Sequence, residues 1–277
     1  MVRFGQVVIG PAGCGKSTYC AALTKHAECS GRLLRCVNLD PAAEEFEYPC
    51  AIDVRELVTL EDVMEESNLG PNGGLVFAME YLIDNFDWLQ SELDQFGDDE
   101  YFLFDCPGQI ELYNHLPIMR QLVDKLQTLD FRLCGVCCLD VSFITDIPKF
   151  IAGSLMALSA MVQLELPHVN VLTKCDLLEE SDREQVDRYL QGEPRDLVAQ
   201  VQGPLGRYHD LNRAMGELLE DYSMVSFLTL NIQEPDSIDE LMQHIDTNIQ
   251  YGEDLETKGN FDLGAIPEEG EGQDGAD

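Results

Sequence analysis

The chain has 277 residues, 45% hydrophobic and 25% charged, and its 17 basic against 52 acidic side chains leave a formal net charge of −35. A chain of this length and apolar content can bury a substantial core without disulfides or metals, and it is too apolar to be disordered as a whole. Its charge repels nucleic-acid backbones and anionic lipid headgroups, which depend on Lys and Arg for affinity, so direct binding to nucleic acid or membrane is not expected.

Strand-like and helix-like patterns alternate from the start. Residues 4–9 read as a short apolar strand, whose apolar centre is too short for the core of a secretory leader. A glycine-rich loop follows, then a helical pattern over residues 16–29, then a second strand at residues 33–39 running into Asp40-Pro41. Residues 51–96 read as a long, mostly helical insertion, punctuated by Gly70-Pro71-Asn72-Gly73-Gly74. A compact apolar run at residues 101–104 ends on Asp105-Cys106-Pro107-Gly108, and further strands follow at 131–139, 169–172 and 225–230. The uncharged run at residues 150–163 falls short of the roughly 18–20 residues that a membrane span needs. Ile238, Leu241, Met242, Ile245 and Ile249 recur at helical spacing, with Ser237 and Glu240 spaced as a capping box. Residues 253–277 fade into Glu, Asp and Gly and are expected to form a disordered acidic tail.

Near-continuously apolar strands separated by helices imply an α/β fold, a mostly parallel sheet covered by helices on both faces. Functional residues then collect at the carboxyl ends of the strands. Of the ten cysteines, Cys134 and Cys137 form the one C-x-x-C, inside a strand pattern where positions three apart face opposite ways. They are read as small core hydrophobes in a reducing compartment, without a metal or redox role.

The strongest signal for chemistry is GPAGCGKS, from Gly10 to Ser17, which fits G-x-x-x-x-G-K-[ST] in full between a strand and a helix. Backbone amides over Gly10, Gly13, Cys14, Gly15, Lys16, Ser17 and Thr18 are placed to cradle phosphates at the helix N-terminus, within a P-loop NTPase fold spanning residues 1–252. Lys16 reaches the β/γ oxygens and Ser17 ligates Mg²⁺. Asp105, at the tip of a buried strand, and Asp40, ending another, are candidates to hold the magnesium through water. Gly108 is placed for its N–H to meet a γ-phosphate and so to sense the nucleotide state. Thr173-Lys174-Cys175-Asp176 resembles the guanine-reading pattern [NT]-K-x-D. A carboxylate such as Asp176 accepts both the ring N–H and the exocyclic amine of guanine, a donor pair that adenine lacks, while the Lys174 stem lies along the base. Gln109 and Glu111 can orient a water toward the γ-phosphate, or simply form an exposed first helical turn.

Taken in order, GPAGCGKS, NLDPAAE, GPN at Gly70-Pro71-Asn72, DCPGQIELY and TKCD closely resemble the GPN-loop GTPases, over nearly the whole chain to about Asp254. Details such as DWL at Asp87–Leu89 and DYSMVSFL at Asp221–Leu228 look most like the third eukaryotic paralogue. The resemblance implies a GTP hydrolase with GTP/GDP and Mg²⁺ as ligands. It implies dimers in which the GPN turn of one subunit reaches the other's phosphate site, where Asn72 presents its carboxamide to the γ-phosphate or the attacking water. MinD-type relatives use a lysine early in the phosphate loop for that contact; Pro11 stands there in this chain. The resemblance further implies a heterodimer with the first paralogue, with a homodimer as the alternative. It also implies service in RNA polymerase II assembly and nuclear import, and a cytoplasmic location with shuttling to the nucleus. Two other readings are carried: a client-binding assembly chaperone whose nucleotide is structural, motivated by the acidic tail and the apolar residues 150–162, and a P-loop kinase or ATPase with Arg183, Arg188 and Arg195 as a basic lid.

Overall fold

Strand β1 (Arg3–Ile9) is the hub of a seven-stranded sheet in the order β3-β2-β4-β1-β5-β6-β7, with every pairing parallel. The other strands are β2 (Leu34–Asn38), β3 (Cys50–Asp53), β4 (Tyr101–Asp105), β5 (Phe131–Asp140), β6 (His168–Thr173) and β7 (Phe227–Thr229). The computed structural model describes residues 2–97, 100–144, 146–200, 208–222 and 225–252; the expected acidic tail, 253–277, lies outside them.

Because the strands are buried on both sides, each face needs its own helical cover. On one face, α1 (Lys16–Ser30) and α11 (Pro235–Ile249) bury Tyr19, Cys20 and Leu23 together with Ile238, Leu241 and Ile245. On the other lie α2 (Leu60–Ser67), α3 (Pro71–Asp84), α4 (Phe86–Leu93), α5 (Glu111–Asn114), α6 (Ile118–Thr128) and part of α7 (Ile147–Leu164), around Val7, Phe102, Phe104 and Leu133. A third cluster joins α7 to α8 (Glu180–Gln191), α9 (Pro194–Ala199) and α10 (His209–Asp221). Cys137 packs with the α3–α6 side, whereas Cys134 and Cys138 pack with the α1 side. All three thiols are fully buried, and among the described residues no group of three or more His, Cys, Asp or Glu is arranged to hold a metal.

Four expectations need correction. The segment read as a helical insertion opens with a strand, β3, which is too short to show a period of its own and is fixed by pairing with β2, Asn38 against Asp53. The GPN stretch is no free turn: Gly70 is the N-cap of α3 and Pro71 its first residue, where a missing N–H costs nothing. The Ser237 capping box does not form, since Pro235 starts α11 two residues earlier and the Ser237 hydroxyl instead accepts the Asn231 amide at 3.1 Å. The uncharged run 150–163 lies inside an 18-residue helix, α7, which by length and composition alone could cross a membrane. Its residues Phe150, Ile151, Ala157, Leu158, Ala160 and Leu164 are buried within the fold. That burial takes Phe150, Ile151 and Leu158 out of any peptide groove on residues 150–162, while Val162 stays exposed.

The two helices on the α1 face are clasped at their ends. Arg32, after α1, lies over the rings of Tyr101 at 4.4 Å and Tyr251 at 4.0 Å, and donates to both carboxylate oxygens of Asp246 at 2.6 and 2.9 Å. Arg32→Met keeps the apolar stem but leaves Asp246 unpaired, and should lower stability by about 2 kcal/mol, read as a lower urea midpoint at unchanged slope.

Candidate functional site

Parallel pairing brings the chemistry-bearing residues to one edge of the sheet. Gly10 follows β1, Asp105 ends β4, Asp40 stands two residues beyond β2, Asp140 ends β5 and Thr173 ends β6. The chain order β1-α1-β2 carries the connection past β4, so the loop between β1 and α1 opens at the carboxyl edge where ligands bind in such sheets.

The Gly10–Ser17 loop is bent by glycines at positive φ, 143° at Gly10, 74° at Gly13 and 92° at Gly15. Gly10 admits no side chain, because a Cβ there would lie 2.2 Å from the Cys138 carbonyl oxygen. The loop therefore rests directly on β5. Cys14 is buried beneath it, and burial pushes its thiol up. Lys16 is almost fully buried and folds back over the loop, donating to the Gly10 and Pro11 carbonyls at 3.1 and 3.2 Å. These acceptors hold the ammonium over the loop's mouth until a stronger, anionic acceptor replaces them. Ser17 and Thr18 are exposed on the first turn of α1.

Beside Lys16, the Ser17 hydroxyl donates to Asp105 Oδ2 at 2.7 Å, and the buried Tyr48 hydroxyl donates to the same oxygen at 3.0 Å. The other oxygen of Asp105, Oδ1, is buried with no partner among the described residues. Burial raises the Asp105 carboxyl above its ordinary range, against the lowering effect of the Ser17 and Tyr48 donors and of Lys16. Asp40 is raised for the same first cause, burial; its Oδ1 accepts the Ala42 amide at 2.9 Å, an Asx turn before the rest of the loop. A hydroxyl, two carboxylates and an unsatisfied carboxylate oxygen are the hard donors that magnesium takes, and a nucleotide-bound magnesium draws its remaining ligands from phosphate and water. The residues present thus fit such an ion.

Gly108 lies against the phosphate loop, so closely that a Cβ would meet Ala12 Cα at 2.8 Å. Past it, Gln109 Oε1, Tyr113 Oη and Asn114 Oδ1 are buried with no partner among the described residues, while Glu111 is exposed at the start of α5. Thr173 is buried and donates to the Cys14 and Leu139 carbonyls at 2.5 and 3.0 Å, tying β6 to the phosphate loop. Lys174, held at a φ of 63°, spans from the Gly13 carbonyl at 2.7 Å to Asp140 Oδ2 at 2.6 Å. That ammonium keeps the Asp140 carboxyl below its ordinary range, against the opposing and largest influence of burial. Asp176 lines a cleft of about 180 Å³ with Thr18, Tyr19, Lys174, Leu230 and Ile232. One residue set apart from this assembly is Asn72. It is exposed on the first turn of α3, and among the described residues no hydrogen bond holds its carboxamide.

Sequence reasoning missed Tyr48, Asp140 and Tyr113. Tyr48 stands in EEFEYP, a charged stretch with no periodicity to mark it, and Asp140 ends its strand like any turn residue. Tyr113 sits inside a stretch read for Asp105, Gly108, Gln109 and Glu111, where an aromatic residue carries no pattern of its own.

The family described as "Conserved hypothetical ATP binding protein" matches residues 8–251 of the chain. The chain is 54% identical over 260 residues to GPN-loop GTPase 3 of Dictyostelium discoideum, covering 93% of this chain and 91% of that protein. It is 49% identical over 274 residues to GPN-loop GTPase 3 of Mycosarcoma maydis, covering 95% and 97%. It is 50% identical over 262 residues to that of Danio rerio, covering 93% and 92%. The structure superimposes with a TM-score of 0.75 on a GTPase in apo form from Pyrococcus abyssi, 24% identical, covering 88% of this chain and 97% of that one; at this identity the likeness speaks for the fold.

The raised carboxyl of Asp105 has a consequence for stability. Above the ordinary value of 3.8 the unfolded chain releases this proton before the native chain does, so its contribution to native stability falls as pH rises from 3.8 through the raised native value. Asp105→Asn removes that fall, and the ligand-free variant should melt above wild type at pH 7, the gap closing as pH drops toward 3.8.

Proposed function

The chain belongs to the GPN-loop GTPases, and we propose that it hydrolyses GTP in a nucleotide-gated dimer whose GPN segments act in trans. The observation that carries this reading is the convergence of a complete phosphate loop, the Ser17–Asp105 pair and the Asp176 cleft on one sheet edge, while Asn72 stands exposed and unpaired elsewhere.

The phosphates lie along the loop amides, and Lys16 leaves its two backbone carbonyls for the β/γ oxygens. Those carbonyls are neutral acceptors, so exchange for a charged phosphate is favourable. Ser17, Asp105 and Asp40 would hold a magnesium ion, which would supply neutralisation of phosphate charge. Asp176 accepts the two guanine donors, and Lys174, pinned between Gly13 and Asp140, keeps the base wall and the phosphate loop in one rigid unit. Gln109 and Glu111 orient the attacking water. The unpartnered Gln109 Oε1 is an acceptor whose desolvation is already met and which gains a bond when water arrives. Asn72 of a facing subunit donates its amide to the γ-phosphate or accepts from that water, as a neutral carboxamide can do both. Gly108, against Ala12, moves with the phosphate loop and couples the γ-phosphate to α5 and so to the dimer.

The facing subunit is the first paralogue of the family, or a second copy of this chain. The dimer's clients are subunits of RNA polymerase II, assembled in the cytoplasm and carried to the nucleus, with no direct contact to nucleic acid or membrane. The net charge of −35 supports a role in holding basic or incompletely assembled partners. A chaperone role with structural nucleotide has less support, because Phe150, Ile151 and Leu158 of the apolar stretch are buried in the fold. The description of the matching family as ATP-binding favours a test of base choice.

Calorimetry with GDP and ADP provides that test. Wild type should prefer GDP, and Asp176→Asn should lose at least about tenfold in GDP affinity, the cost of unpairing a buried charge-assisted hydrogen bond. Equal affinity for the two nucleotides in wild type would overturn the guanine assignment. Asn72→Ala should leave GDP affinity unchanged and lower kcat for phosphate release by about 10²-fold when the protein is assayed with the first paralogue, the usual loss of one positioned donor.

A further inference from the structure

The segment between Asp40 and β3 ends in a network that sequence patterns do not reveal. Tyr48 is 4% exposed, and its hydroxyl donates to Asp105 Oδ2, the oxygen that also accepts from Ser17. Its ring stacks on Phe46, centroids 4.7 Å apart and planes 5° from parallel. The Arg55 guanidinium lies over Phe46 at 4.9 Å and donates to the carbonyls of Ala43 and Glu44 at 2.9 and 3.1 Å, pinning the same loop. Arg55 in turn forms a forked pair with Asp53, Asp53 accepts from Asn38 at 2.8 Å, and Asn38 accepts the Asp40 amide at 3.0 Å. The two carboxylates that the magnesium reading uses, Asp105 and Asp40, are thereby joined by one continuous chain of contacts.

We infer that Tyr48 is a positioning residue for the metal–nucleotide complex: its hydroxyl, together with Ser17, fixes Asp105 through Oδ2 and leaves Oδ1 as the acceptor for a water of the cation. A carboxylate held by one donor alone rotates about its terminal torsion, which is broad. Two donors on one oxygen stop that rotation, and stacking on Phe46 restricts the tyrosine itself. When Ser17 turns its lone pair to the cation, Tyr48 remains the second anchor of Asp105. This inference rests on the reading of Ser17 and Asp105 as magnesium residues.

The test compares GDP affinity of the full chain in EDTA and in Mg²⁺, by calorimetry, for wild type, Tyr48→Phe and Ser17→Ala. Phenylalanine keeps the stack and loses the hydroxyl. Tyr48→Phe should cut the Mg²⁺-dependent gain in GDP affinity about tenfold while leaving affinity in EDTA as in wild type. The electron paramagnetic resonance signal of Mn²⁺ bound with GDP should broaden in the variant, as the coordination loses its fixed partner. Arg55→Gln, which releases the loop but keeps the hydroxyl, should reduce the gain in the same direction. An unchanged gain in Tyr48→Phe, or equal losses with and without the cation, would overturn the inference. Wild type that gains nothing from Mg²⁺, and behaves like Ser17→Ala, would instead remove the magnesium reading beneath it.

Discussion

The placement of the site follows from the pairing of β1 on both edges. Val8 stands opposite Asp105 on one side and Val136 on the other, and Ile9 stands opposite Cys137. This register leaves the loop after β1 wedged between the ends of β4 and β5, with Gly10 packed on the Cys138 carbonyl and Gly108 packed on Ala12. A slip of one residue in a parallel sheet would turn buried side chains to the wrong face and carry Asp105 away from Ser17. Burial of Val7, Val8, Ile9, Phe102 and Phe104 on two faces therefore fixes the relation of a hydroxyl, an ammonium and a carboxylate that are far apart in sequence.

The same edge is where the fold leaves polar groups unpaid. Asp105 Oδ1, Gln109 Oε1 and Tyr113 Oη are buried with no partner among the described residues, against a background in which buried polar atoms are nearly always bonded. Asp105 and Asp40 are held against the cost of burial, close to Lys16. Such a concentration costs stability in the free chain and leaves donors and acceptors ready for phosphate, cation and water, so binding a ligand restores what folding withheld. On the α1–α11 face, Arg32 is held between two tyrosines and pairs with Asp246 through its Nη atoms, while its Nε is buried with no partner among the described residues.

Around this rigid edge the connecting segments differ in how they are held. Lys174 and Thr173 tie β6 to the phosphate loop, and Arg55 and Phe46 tie the loop before β3 to Asp105 through Tyr48. The GPN segment is fastened differently, by packing of α3 on α2 at Gly74, where a Cβ would meet Leu60 Cδ1 at 2.9 Å. Its N-terminal turn, with Asn72, projects from a helix whose inner face is anchored by Ala78, Met79 and Leu82. The start of α3 is thus exposed, with Gly70 as its N-cap and no side-chain cap.

The apolar strands, the phosphate loop and the polar residues at strand ends are legible in the order of residues, because each is a local pattern of period, glycine spacing or punctuation. Six of the seven parallel strands and the edge on which Asp105, Thr173 and Lys174 meet follow from those patterns by the rules of βαβ packing. Tertiary structure alone decided the rest. β3 is too short to carry a period and exists because β2 offers it a partner; Pro235, and not Ser237, starts α11 because the chain must turn out of β7 there. The uncharged run in α7 gained its full length from an Asp146 cap, whose carboxylate accepts the Lys149 amide at 2.9 Å. Tyr48 became a partner of Asp105 only when the intervening loop folded back under Arg55. Contacts of this kind join residues through space with no spacing rule between them, so nothing in the order of the residues could announce them.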